Sequence, residues 1–262
     1  MRELWVALLL VVGCSLGQQK GGPRSVLRCQ LFPGRLRQLD AGHGGVYGVG
    51  FDNQAKRLVG MCWVPLDGLM KHVSVGPSGV WGTDQQNNFY KLDEDTWTQI
   101  PGELEQVDAG GIGFLTGVKH CHLAYCADTT AGTQSFNWTL LPGKLQYQSC
   151  GPQACWGVGE AGEVYVRTGV RAGDCAGTVG LVDTKPCMAK VEVGSDGSVF
   201  GLSSIGVPYE RVGISTSNPR GTGWVRLRGV EAIHSLSYDR CTLWLVNYLG
   251  QVRRCFRVPS KK

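Results

Sequence analysis

Acidic, amide and guanidinium side chains stand beside tyrosine, or beside one another, in four places along the chain: Asp84, Asn87, Asn88 and Tyr90; Glu160, Tyr165 and Arg167; Tyr209, Glu210 and Arg211; and Asn247, Gln251 and Arg253. A ligand rich in hydroxyls with one apolar ring face, such as a sugar, needs this pairing, because each hydroxyl both donates and accepts while the C–H face packs on an aromatic ring. Any one of these residues is also an ordinary occupant of a polar hairpin, so the set carries the suggestion. Several weak sites repeated on one rigid body would add up to avidity toward a patterned surface.

Catalytic chemistry has less support. Glycoside hydrolysis needs two carboxylates flanking the scissile bond, and the dense acidic run Asp93-Glu94-Asp95 reads as a solvated loop. Ser195-Asp196-Gly197-Ser198 resembles the Asp-box turn of sialidases but lacks the rest of that signature. His43, His72 and His234 fall in unrelated stretches, and neither a Gly-x-Ser-x-Gly elbow nor a phosphate loop is present, so the chain is read as a non-enzyme. Cys121 lies between His120 and His122, and the pairs Cys121…Cys126 and Cys150…Cys155 superficially suggest metal ligation. Neither has CxxC spacing; local disulfides are expected, and no metal is assigned.

The chain ends suggest the compartment. An apolar run of eleven residues, Leu4 to Cys14, follows Met1-Arg2-Glu3 and ends in Ser15-Leu16-Gly17, which reads as a signal peptide over residues 1–17. It is shorter than the roughly 18 residues a membrane span needs, and no later stretch comes closer. Of the 11 cysteines one is Cys14, and the others form an even set that an oxidising compartment would pair. Asn137-Trp138-Thr139 is a glycosylation acceptor that would lie on the surface. These features agree on secretion to the extracellular space. The net charge of +5 gathers partly near the two ends, at Lys20, Arg24 and Arg28 and at Arg253, Arg254, Arg257, Lys261 and Lys262. No basic stripe interleaved with aromatics argues for nucleic acid.

These side chains must be positioned by a repeat. Gly42, Gly76, Gly110, Gly151, Gly194 and Ser237 recur 34 to 43 residues apart. Thirteen positions before each stand Cys29, Trp63, Trp97, Trp138, Leu181 and Trp224; eight before, Gly34, Gly68, Gly102, Gly143, Pro186 and Gly229; six before, Leu36, Met70, Leu104, Leu145, Met188 and Glu231; and five to seven after, Tyr47, Trp81, Leu115, Trp156, Phe200 and Trp244. Each copy alternates short apolar strands with glycine turns, and no segment sustains a helical period. Residues 18–262 are therefore read as one all-β domain, a six-bladed β-propeller of four-stranded antiparallel blades. The tryptophan columns are expected to pack between blades. The opening and closing strands must meet to avoid a free edge, and a Cys29–Cys255 bridge would staple them.

Trp97-Thr98-Gln99-Ile100-Pro101-Gly102-Glu103-Leu104 and Trp138-Thr139-Leu140-Leu141-Pro142-Gly143-Lys144-Leu145 carry the pattern Trp-x-x-[Ile/Leu]-Pro-Gly-x-Leu, which resembles the tectonin repeat. With six copies and little else, the chain resembles the fish-egg lectins and, more distantly, the tectonin-type lectins of horseshoe crab plasma. That resemblance implies a six-bladed propeller that binds N-acetylglucosamine-type sugars and bacterial lipopolysaccharide in innate or egg defence, in some members with calcium. The alternative is a secreted propeller that serves as a structural or protein-binding scaffold. Cys29, Leu181, Pro186 and Glu231 depart from the repeat, and the first and third hairpins, Phe51-Asp52-Asn53-Gln54 and Lys119-His120-Cys121-His122, differ from the others.

Overall fold

A computed structural model describes residues 26–258 except 131, 133–135, 184 and 231; the signal-peptide assignment lies outside the described residues. The described chain forms six four-stranded antiparallel sheets. Blade I comprises β2 (Gln38–Gly42), β3 (Gly45–Val49), β4 (Gln54–Val59) and β5 (Cys62–Leu69); blade II comprises β6 (His72–Gly76), β7 (Gly79–Thr83), β8 (Asn88–Asp93) and β9 (Thr96–Glu103). Blade III holds β10 (Gln106–Asp108), β11 (Phe114–Val118), β12 (Leu123–Asp128) and β13 (Thr139–Lys144); blade IV holds β14 (Tyr147–Cys150), β15 (Ala154–Val158), β16 (Val164–Thr168) and β17 (Thr178–Asp183). Blade V runs β18 (Met188–Val193), β19 (Val199–Ser203), β20 (Pro208–Val212) and β21 (Gly223–Arg226). Blade VI is made of β22 (Ile233–Asp239), β23 (Thr242–Asn247), β24 (Gln251–Val258) and, as its outermost strand, β1 (Val26–Arg35) from the other end of the chain.

The six-bladed reading holds, with its phase shifted by one strand. Each sequence repeat contains the outermost strand of one blade and the three inner strands of the next, so the first repeat donates β1 to the last blade. Cys29 lies opposite Cys255 in the β1–β24 ladder and is bonded to it. Closing a loop with a sequence separation of 226 in this way is worth roughly 5 kcal/mol on a chain-entropy account.

Burial grades outward from the axis. Every residue of β6, β11, β15 and β19 is buried, whereas β5, β9 and β13 each bury a single residue, Leu66, Ile100 and Leu141. The first three anchor glycines mark close approaches between inner strands of neighbouring blades. A Cβ on Gly42, Gly76 or Gly110 would run into the carbonyl of Val75, Ala109 or Cys150 in the next blade.

A second sixfold device links the blades. The hairpin between the second and third strands of each blade places a residue at positive φ near its end: Asn53, Asn87, His122 (after Cys121, also at positive φ), Gly162, Gly206 and Gly250. The carbonyl of each accepts the N–H of the residue opening the next blade, respectively Met70, Leu104, Leu145, Met188, Ile233 and Leu36, at 2.8 to 3.0 Å. The first and third hairpins, set apart by sequence, thus do the same work as the rest. In the sixth copy the donor is Ile233, two residues past Glu231.

The cysteines pair across strands. Cys150 and Cys155 face each other in the β14–β15 ladder and are bonded, while Cys126 of β12 joins Cys175 in the loop after β16, tying blade III to blade IV. A local Cys121–Cys126 bridge is corrected by this: Cys121 sits at positive φ in the turn before β12 with an exposed free thiol. The extended strand holds the pair on the order of 10 Å apart, beyond disulfide reach. Cys62 is also a free, exposed thiol, so the even set is not fully paired.

Candidate functional site

The second-to-third-strand hairpins gather at one end of the ring, and all four polar groups singled out in the sequence lie on them or on the strand that follows. Their side chains differ in what they leave available. In blade II the buried Asp84 is saturated: Oδ1 accepts the N–H groups of Gln86 and Asn88, each at 2.9 Å, and Oδ2 accepts the Asn88 amide at 2.9 Å and the Tyr90 hydroxyl at 3.0 Å. Asn87 is hydrogen-bonded to Lys71. In blade VI the side-chain oxygen of Asn247 accepts from the N–H of Leu249 and Gln251, and its amide donates to the Gln251 side chain. Arg253 stands half-buried between Leu31 and Leu245 in the ladder. Asp84 and Asn247 are turn-forming residues whose polar capacity is largely consumed within the hairpin.

Arg211 of blade V is buried. Its Nε donates to the Arg220 carbonyl at 2.7 Å, its Nη1 pairs with Asp183 of blade IV, and its guanidinium lies 5.8 Å from the Trp156 ring and 5.2 Å from the Trp224 ring. Tyr209 is half-buried two residues away.

Blade IV offers the most accessible polar cluster. The exposed Glu160 meets Nδ1 of His122 at 2.9 Å and Nζ of Lys144 at 3.5 Å, both from blade III. The hydrogen bond from His122, followed by the charge of Lys144, holds the Glu160 carboxyl below the usual range. Beside it the Tyr165 hydroxyl donates to Glu163 at 3.1 Å. Behind this rim a cavity of about 140 Å³ opens between blades III and IV, walled by Pro142, Gly143, Trp156, Tyr165, Arg167 and Val179 among others. Arg167 is only 5% exposed and donates to the carbonyls of Ala176 at 2.7 Å and Pro142 at 3.2 Å. Sequence reasoning found Glu160, Tyr165 and Arg167 but not His122, Lys144 or Trp156, which come from other strands or columns.

It also passed over the axis, where the signal was two positions before the anchor: Asp40, Ser74, Asp108, Ser149 and Glu192. Four of these side chains accept the N–H of the following blade, Asp40 from Val75, Ser74 from Ala109, Asp108 from Cys150 and Ser149 from Val193. Glu192 instead accepts from the Tyr147 hydroxyl. Burial, reinforced by the charge of Asp40, pushes Asp108 up to about 8 and lifts Glu192 well above the carboxylate range. Burial pulls the His72 ring down to about 3. Among the described residues no three acidic, histidine or cysteine side chains converge closely enough to hold a metal ion.

The sequence profile of the Tectonin domain family matches residues 35–248. The chain is 43% identical over 234 residues to the fish-egg lectin of Cyprinus carpio, covering 87% of this chain and 98% of that protein. Among solved structures it resembles the β-propeller domain of Myceliophteria thermophila Cps50 (Swd1), with a TM-score of 0.61 at 8% identity over 88% of this chain and 100% of the other. It also resembles virginiamycin B lyase from Staphylococcus aureus, with a TM-score of 0.57 at 14% identity over 84% of this chain and 80% of the other. At such identities these two likenesses concern the fold alone.

Proposed function

Because the chain belongs to the tectonin family, we propose that it is a secreted lectin that binds N-acetylglucosamine-type glycans, including those of bacterial lipopolysaccharide, in innate or egg defence and catalyses no reaction. The observation that carries this reading is the 43% identity to a fish-egg lectin across 98% of its length. The rim of Glu160, His122 and Lys144 supports it, since its exposed charged groups stand beside Tyr165 and the cleft between blades III and IV. The carboxylate would accept from sugar hydroxyls, Lys144 would donate to them, and the aromatic face would take the apolar side of the ring. Hairpins repeated at one end of a rigid ring suit a patterned surface, on which weak contacts add. Exposure of Asn137 is compatible with glycosylation on a secretory route.

The test is retention on immobilised N-acetylglucosamine with release by free sugar, repeated with Glu160→Ala and Lys144→Ala and with and without chelator. Retention that weakens at least several-fold in the variants supports the reading. Turnover of a fluorogenic glycoside would replace it with an enzyme. Absence of both, with a specific protein captured instead, would replace it with a scaffold.

A further inference from the structure

The cavity between blades III and IV exists because one position of a repeated packing unit is vacant. In blades I, II and V a tryptophan of the outermost strand, Trp63, Trp97 or Trp224, and in blade III Trp138 just before that strand, fills the gap to the preceding blade. The ladders place Trp63 opposite Leu58, Trp97 opposite Leu92 and Trp224 opposite Arg211. In blade IV the corresponding ladder position pairs Arg167 with Val179, so the residue standing where the indole belongs is Val179, two places before Leu181.

The preceding blade registers the loss. A Cβ on Gly34, Gly68 or Gly102 would meet the indole of Trp63, Trp97 or Trp138 at 2.5, 3.1 and 3.7 Å, but one on Gly143 meets nothing within 4 Å. Nε1 of Trp63 donates to the Pro33 carbonyl at 2.8 Å; the equivalent carbonyl, Pro142, takes an N–H of Arg167 instead.

Arg167 lacks what its counterpart has. Arg211, at the same position in blade V, is flanked by two indoles and neutralised by Asp183 from the preceding outermost strand. The strand that faces Arg167, β13, reads Thr-Leu-Leu-Pro-Gly-Lys and contains no acid. Among the described residues Arg167 makes no ion pair, although it is 95% buried (5% exposed) and lines the cavity. A buried cation without a counter-charge is costly unless something supplies one.

We propose that this cavity binds a small planar aromatic carboxylate, the ring taking the vacant indole position between Gly143 and the Trp156 and Tyr165 walls and the carboxylate pairing with Arg167. The volume, about 140 Å³, compares with cavities of roughly 150 Å³ that admit benzene, and the mouth beside Lys144 leaves room for a substituent. This site lies behind the rim proposed for glycan binding and shares the Tyr165 wall and the mouth beside Lys144 with it, but it does not rest on that reading.

Indole-3-carboxylate, benzoate and neutral indole are titrated against the full chain by calorimetry, with tryptophan fluorescence as a second readout for benzoate. The carboxylates are expected to bind at least tenfold more tightly than indole. Val179→Trp, which restores the sister-blade packing, is expected to abolish binding; should that variant fail to fold, the smaller Val179→Phe is expected to weaken binding at least tenfold. Arg167→Lys is expected to shrink the preference for acid over indole. No binding by wild type, equal affinity for acid and neutral ring, or binding untouched in a folded Val179 variant would each overturn the proposal.

Discussion

The Ser237 hydroxyl in the last blade donates to Oδ1 of Asp40 in the first at 2.7 Å and accepts the N–H of Ala41 at 2.9 Å. At this junction the repeat has exchanged its anchor glycine for a side chain that connects the inner strands of the last and first blades. Ser237→Ala would remove one partner from a buried acid and one from a buried amide, leaving the Ala41 N–H with Asp40 Oδ1 and Asp40 Oδ2 with the Val75 N–H. A loss of about 1–3 kcal/mol is expected in urea unfolding, and an unchanged midpoint would show that the junction does not depend on this hydroxyl.

The outermost strand of blade VI is held by its ladder and by one covalent bond. Replacing both Cys29 and Cys255 by serine should lower the unfolding free energy by up to roughly 5 kcal/mol. It should also expose β1 to early cleavage in limited proteolysis, while the other five blades stay protected. Cleavage spread evenly over the ring would contradict the closure described above.

Asp108 holds its proton up to about 8, because of burial and the nearby Asp40 charge, whereas its ordinary value is 3.8. Between these values the native state binds more protons than the unfolded chain, so the contribution of Asp108 to stability declines as pH rises through that window. Asparagine keeps the acceptor for the Cys150 and Gly110 amides and has no proton to lose. The stability of Asp108→Asn relative to wild type should therefore climb between pH 5 and pH 8, by at most about 1.4 kcal/mol per unit. His72 acts with the opposite sign: its ring is pulled from 6.5 to about 3, so wild type should also weaken as pH falls below about 6.5. A flat difference for Asp108→Asn across the range would mean that the carboxyl is already ionised.

Asp84 looked like a sugar ligand and is placed as the internal brace of its hairpin. Asp84→Ala should cost about 1–3 kcal/mol of stability through the orphaned hairpin amides and the Tyr90 hydroxyl, with little change in sugar retention by the folded fraction. A stable variant with weakened retention would return Asp84 to the binding surface.

Much of the architecture was legible because glycine is required where inner strands nearly touch and because one apolar residue opens every blade. What blurred the columns were two-residue shifts: Val179 rather than Leu181 stands at the tryptophan position, and Ile233 rather than Glu231 opens the sixth blade. The polar sites were less legible for a different reason. An Asp or Asn side chain serves a ligand or its own turn with the same atoms, and only the placement of the surrounding amides shows that Asp84 and Asn247 bond to their own turns. Arg167 and Arg211 sit in strands near the rim of the sheets and look solvated in sequence, yet stacking of one blade on the next buries both. The Cys126–Cys175 bond could not be read from spacing, since its partners belong to different blades.

The six carbonyl-to-amide clasps imply an asymmetry between the two ends of the ring. At the clasping end each turn must deliver one carbonyl to a neighbour at a fixed distance, so an added residue would unseat the adjacent blade rather than merely lengthen a loop. Among the described residues no such carbonyl clasp falls on the connections between third and fourth strands at the opposite end, and apart from the β16–β17 connection, which Cys175 ties to Cys126, the chain already runs long there between β12 and β13 and between β20 and β21. New length, whether acquired by evolution or grafted by design, has its natural berth there.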